Sequence, residues 1–236
     1  MMDSLLREPV NALTHGVWGL LCIPAALWLV WKSRDSLLKM FSCLVFGASL
    51  VACFFGSCLY HGIHGSDEAI SFCEMLDHVG IYLLIAGTGT PVILVLLRGA
   101  SRWGTLAIIW SMALAGIILR VSGVLLPDGV STTIYVLMGW TGLMVYCQLA
   151  RQVSHRALVW MWGGGLIYSI GAVMKACGWP RLFPGVFDTH ELWHLMVIAG
   201  SFCHLAFMVR VVAPFQRQPA APGALLDSTE ASDGPV

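Results

Sequence analysis

Three short stretches hold most of the side chains that could do chemistry in an otherwise apolar chain. SCLYHGIH carries Ser57, His61 and His64; EMLDHVGIYLLIAGTGTP carries Asp77 and His78; FDTHELWH carries Asp188, His190, Glu191 and His194. His190 and His194 are four residues apart. On a helix that spacing stacks them on one face, about 6 Å apart along the axis, so that two imidazoles can grip one metal ion. Ser57 and His61 share the spacing. A third imidazole from His61 completes a His₃ set and leaves a fourth tetrahedral position, the pattern of catalytic zinc sites. Zinc is the metal expected for three imidazoles, although ligand type alone also admits iron, cobalt or nickel. Asp77 is expected to act as general base. Ser57 is expected to orient a water or a ligand imidazole, or to donate to a developing oxyanion.

Plainer readings stand beside these. Histidines at i, i+4 also occur as hydrogen-bonded residues at headgroup depth. Asp77 could serve as a helix N-cap. HELWH matches the zincin pattern HExxH, which would make Glu191 catalytic. Asp188 followed by Glu191 also forms a capping box, and capping is the preferred role for Glu191. His15, in NALTHGVWG, could line the same cavity or cap a helix. His78 lies about 100° around the helix from Asp77 and should face elsewhere. His64 neighbours the proposed ligands, His204 lies deeper in the last span, and His155 is expected in a solvated loop.

The elements that position these residues follow from composition. Of the 236 residues, 58% are hydrophobic and 11% charged, against roughly 25% charged in soluble domains. So small a chain cannot hide that much apolar surface from water. The expected fold is all-α, a polytopic membrane protein with seven transmembrane helices at about 15–32, 40–60, 78–97, 103–120, 132–150, 157–175 and 190–213, each near the ~20 residues a bilayer requires. Ten-residue alternating segments are missing, which argues against strands. Residues 1–213 form one transmembrane domain in this reading. Residues 214–236, rich in Pro, Ala, Gly, Ser and acids, are expected to be a disordered tail. Antiparallel alternation brings the end of span 2 and the starts of spans 3 and 7 to one side, at one depth.

Arg120 is expected to snorkel at an interface. Trp28, Trp31, Trp103, Trp140, Trp160, Trp162 and Trp179 are expected as interfacial anchors. The eight cysteines make no CxxC pair and read as packing residues. No cleavable signal peptide is expected at the start. Zero net charge gives no electrostatic footprint for nucleic acid. Lys32, Arg34, Lys39, Arg98, Arg102, Arg151, Arg156, Arg210 and Arg217 fall on one side, and Arg7, Arg120, Lys175 and Arg181 on the other, nine against four. The positive-inside rule then places the N-terminus outside and the C-terminus in the cytoplasm. The acidic 2–3 loop, counted as Asp67, Glu68, Glu74 and Asp77, agrees.

NALTHG, SCLYH, LDHVGIYLLIAGTGTP, MGW (Met138 to Trp140) and HELWH, in this order, resemble the hemolysin III family, the bacterial branch of the superfamily that includes the adiponectin and progestin receptors. The resemblance runs from about Asn11 to span 7. It implies seven helices and a zinc ion held by three histidines. The family's SxxxH falls on Ser57 and His61, the aspartate opening the third helix on Asp77, and HxxxH on His190 and His194. In the receptors that aspartate reaches zinc through a water. Gly89 departs from the aromatic common in the family's GTYTP and is expected to widen the cavity. The receptors also hold their zinc end in the cytoplasm, opposite to the charge count here. The resemblance implies a bacterial inner (plasma) membrane.

Three functions are compatible with these residues. The first is a zinc-dependent hydrolase of lipid amides or esters, with membrane lipids as partners and substrate entering sideways from the bilayer. The second is a receptor-like membrane-state sensor in which zinc is structural. The third is the channel or cytolytic activity that the family name suggests, which would prefer broken helices at mid-bilayer; Gly87 to Pro91 is the only obvious candidate kink.

Overall fold

The structure, a computed structural model, describes residues 5–183 and 187–216. Seven helices are long and apolar enough to cross a bilayer: α1 (Pro9–Lys32), α2 (Leu37–Gly62), α3 (Asp67–Leu96), α4 (Gly99–Val121), α5 (Gly129–Gln152), α6 (His155–Cys177) and α7 (Thr189–Val212). Among the described residues there is no strand beyond an isolated bridge between Phe183 and Phe187. Leu20, Leu27, Leu114 and Leu166 are each more than half exposed. Apolar faces of this extent need hydrocarbon around them. The protein is an integral membrane protein. The expected tail lies, beyond residue 216, outside the described residues.

Each expected span falls on one of these helices. The largest difference is the start of α3. It begins at Asp67 rather than near residue 78, because Ser66 accepts a hydrogen bond from Ala69 N and Asp67 and Glu68 occupy the first turn, where the helix dipole favours acids. Asp77 therefore lies three turns into α3 and is not its N-cap. The 2–3 loop shrinks to residues 63–66, so Asp67, Glu68, Glu74 and Asp77 all leave the loop for α3, the first two in its opening turn.

α3 is the most enclosed span. It packs closely on α2 through small residues. A Cβ at Gly80 would lie 2.7 Å from Cys53 Cα, and one at Gly87 would overlap Ser49 Oγ. Such contacts let backbones approach where no hydrophobic force drives helices together. Gly89 does not widen a cavity, since a Cβ there would meet Ile109 Cδ1 at 2.8 Å. After Pro91 the end of α3 loosens into a π-turn over Val92–Leu96. α5 is interrupted by a 3₁₀ segment at Trp140–Val145.

Two further expectations change. Trp140 and Trp162 stack on each other with ring centroids 6.0 Å apart, and Trp140 Nε1 donates to Ser169 Oγ at 2.9 Å, so both pack between helices instead of anchoring at an interface. Arg120 does not snorkel. Its side chain is 12% exposed and pairs with Glu74 at 2.9 Å. All eight cysteines are free. At the end of the bundle away from the histidines, Lys39 Nζ donates to Ala213 O and Phe215 O at 3.0 Å each, tethering the end of α7.

Candidate metal centre

α2 delivers His61 from its last turn and α7 delivers His190 and His194 from its first two. The α7 start is set locally by a complete capping box: the Asp188 side chain accepts from Glu191 N while Asp188 N donates to Glu191 Oε2 at 2.8 Å, and Thr189 N adds a bond to Asp188 Oδ1 at 2.9 Å. Glu191 therefore caps the helix, as preferred, and its other oxygen accepts from Asn11 Nδ2 at 3.1 Å. That engagement leaves the zincin assignment without support.

The three imidazoles converge. One ligand atom from each of His61, His190 and His194 lies within 4.8 Å of the others. His190 Nε2 and His194 Nε2 are 3.2 Å apart. Two nitrogens at about 2.05 Å from a tetrahedral ion would be separated by roughly 3.3 Å, so this edge already has the required length. His61 and His194 are buried and His190 is partly so. The set could hold a metal ion.

The protonation pattern also fits a ligand set. Glu8 Oε2 sits 2.7 Å from His61 Nδ1. A carboxylate only accepts, so Nδ1 carries the hydrogen and Nε2 presents its lone pair, the carboxylate–histidine arrangement found behind metal ligands. Burial pushes the Glu8 carboxyl up, but the hydrogen bond from Asn11 and the neighbouring His61 and Arg7 outweigh it and hold Glu8 below the usual carboxylate range. His15 is buried and stands behind His194, ring centroids 4.0 Å apart. Its Nε2 lies 3.3 Å from His194 O, which can only accept, so Nε2 is the protonated nitrogen. His15 thus lines the site as a supporting residue and caps no helix.

A strap closes this end. Glu8 N donates to His61 O at 2.9 Å, and Arg7 donates through its guanidinium to Tyr60 O at 2.6 Å. Both satisfy carbonyls left open at the C-terminal end of α2. Asn11 links Glu8 at 3.0 Å to Glu191, so the starts of α1 and α7 are joined over the histidines.

Asp77 lies near the buried hydroxyl of Ser57 and within electrostatic reach of His61, His78 and Lys175. Both residues thus adjoin the triad. His78 faces away, its Nδ1 bonded to Glu74 O at 2.8 Å. His64 sits in the exposed α2–α3 loop, His155 opens α6 beside Tyr146, and His204 bonds Met161 O at 3.1 Å far down α7. Sequence reasoning missed Glu8, Asn11 and Lys175 as site residues. Glu8 carried a faint signal: it directly precedes Pro9, the first-turn proline of α1, on the side of the membrane where the histidines gather.

Fold and site together define a seven-helix membrane protein with a three-histidine centre near one membrane face. The family model described as Haemolysin-III related matches residues 4–205. Over 215 residues the chain is 35% identical to a "Hemolysin-3" of Bacillus cereus, covering 89% of this chain and 95% of that one. Over 217 residues it is 34% identical to a "Hemolysin-3 homolog" of Bacillus subtilis (strain 168), covering 89% and 98%. Over 228 residues it is 30% identical to an "Adiponectin receptor protein" of Drosophila melanogaster, covering 84% of this chain and 49% of that protein. The chain belongs to the haemolysin-III-related family, within the superfamily that includes the adiponectin receptors.

Proposed function

We propose that this protein is an integral membrane zinc hydrolase acting on amide or ester bonds of lipids. The observation that carries the reading is the convergence of His61, His190 and His194, with the carboxylate of Asp77 in electrostatic reach of His61 and near Ser57. Zinc held by the three imidazoles would supply Lewis acidity to a substrate carbonyl and make an attacking water easier to deprotonate. Asp77 accepts the proton in this scheme, and the Ser57 hydroxyl fixes the carboxylate orientation. Glu8 keeps His61 in the tautomer that presents Nε2, and His15 braces His194. The ends of α1, α2 and α7 cover these groups, and in this scheme the lipid enters from the bilayer side.

The test combines metal content and turnover. Elemental mass spectrometry of the detergent-purified protein should find near-stoichiometric zinc that a His190→Ala/His194→Ala double variant lacks. Lipid amides of the ceramide type should be hydrolysed by wild type and spared by Asp77→Asn. Zinc without turnover on any lipid amide or ester would instead favour the second reading, a receptor-like sensor in which zinc ties α2 to α7. The strap that joins the starts of α1 and α7 over the histidines favours that alternative, since it makes the site a natural clamp. The nine-to-four distribution of basic residues supports a bacterial inner membrane orientation with the N-terminus and the histidines outside.

A further inference from the structure

On the side of α3 that faces away from the histidines, a cavity of about 150 Å³ opens between α3, α4 and α5. It has room for about five waters, the scale of a small headgroup. Its wall is polar although it lies among membrane-spanning helices. Arg120, in the last turn of α4, bonds Glu74 through one terminal nitrogen, while its Nε is buried without a partner among the described residues. Glu74 uses one oxygen for that bond and keeps a second as acceptor. His78 donates from Nδ1 to Glu74 O, so the neutral ring offers Nε2 as a lone pair. Tyr82 and Tyr135 complete the wall, their rings edge to face with centroids 4.7 Å apart.

An ion pair with a free donor on the cationic partner and a free acceptor on the anionic one is half of a four-charge arrangement. The Arg120 guanidinium lines the cavity and has donors beyond the one given to Glu74, so an anionic oxygen in the cavity would gain hydrogen bonds there. That oxygen brings a negative charge into a neutral pocket, and an ammonium beside Glu74 and His78 would balance it. Depth agrees: the cavity lies at the ends of α4 and α5, where lipid headgroups sit. Its rim includes Val124 and Leu125, which are 44% and 72% exposed, so the mouth is apolar.

We propose that this cavity binds the ammonium–phosphate zwitterion of a lipid headgroup, with a phosphate oxygen at the Arg120 guanidinium and the ammonium at Glu74 and His78. The site needs no metal and stands independently of the hydrolase reading. Native mass spectrometry of the full chain in detergent, wild type and His190→Ala/His194→Ala alike, can be titrated with dihexanoyl phosphatidylethanolamine and dihexanoyl phosphatidylglycerol. The two share tails and phosphate and differ in the ammonium. The ethanolamine lipid should bind at least tenfold tighter. Glu74→Gln/Arg120→Gln, which removes both charges and strands neither, should bring the two lipids within twofold. Ser131→Phe, which fills the cavity from the start of α5, should weaken the ethanolamine lipid while leaving the melting temperature near wild type. Equal affinity for the two lipids in wild type, or a preference that survives both variants, would overturn the proposal. Phosphoethanolamine without tails serves as the last arm: binding as tight as the lipid's would overturn the lipid as source, and binding at least tenfold weaker would uphold it.

Discussion

Replacing Glu8 tests whether the contact with His61 tunes a metal ligand. The contact is 2.7 Å long and charge-assisted, the stronger class of hydrogen bond. Loss of such a partner behind a metal-bound histidine typically costs about 10- to 100-fold in metal affinity. The Glu8 side chain is 39% exposed, so water competes for the imidazole N–H and the lower part of that range applies. Glu8→Ala is therefore expected to weaken zinc binding about 10- to 30-fold, or roughly 1.4–2 kcal/mol. Glu8→Gln keeps an acceptor oxygen without the charge. A neutral hydrogen bond has about half the strength, so the loss should be about three- to sixfold. The strap itself survives either change, because the bond to His61 O comes from the Glu8 backbone. Competition against a chromophoric zinc chelator in detergent reads these constants directly. An alanine variant that melts at the wild-type temperature and binds zinc within twofold of wild type would refute the argument.

Asp77→Asn should lower hydrolysis by about 10²- to 10⁴-fold, the usual worth of a general base, with zinc content unchanged; retained turnover would remove Asp77 from that role. Chelation should lower the melting temperature of wild type and leave that of His190→Ala/His194→Ala unmoved, because only a bound metal can add its binding free energy to folding; an equal response from both proteins would locate the effect elsewhere. Gly80→Ala should cost about 1–3 kcal/mol through overpacking against the Cys53 backbone, seen as a lower melting temperature. Gly104, with nothing within 4 Å of its built Cβ, is the control site and should tolerate alanine. An Asp67→Cys variant, with exposed Cys147 and Cys177 changed to Ser, should react with an impermeant maleimide on intact cells; labelling only after lysis would reverse the orientation.

The seven spans were legible because apolar runs of this length have one cheap solution in hydrocarbon, a helix that bonds its own backbone. The start of α3 was misplaced because hydropathy reports where lipid begins, whereas the helix starts where Ser66 caps it, eleven residues before the expected boundary. Arg120 was misjudged for a related reason. Sequence shows a charge near a span end, but whether it reaches for water or for Glu74 depends on how α3 and α4 pack.

For the site, spacing along a single helix determined that His190 and His194 share a face, and alternation of antiparallel spans determined that His61 and Asp77 lie at the same end. Local sequence also settled Glu191, because the capping box closes over only three residues. The tertiary structure decided which contacts lie between distant elements: Glu8 against His61, Asn11 bridging to Glu191, His15 behind His194. These partners come from up to 180 residues away in the chain. No periodicity links such positions, since their contact depends on helix rotation and on the close crossings that small residues permit. Composition and spacing therefore established the membrane fold and pointed to the three histidines that could hold a metal, and only packing established the groups around them.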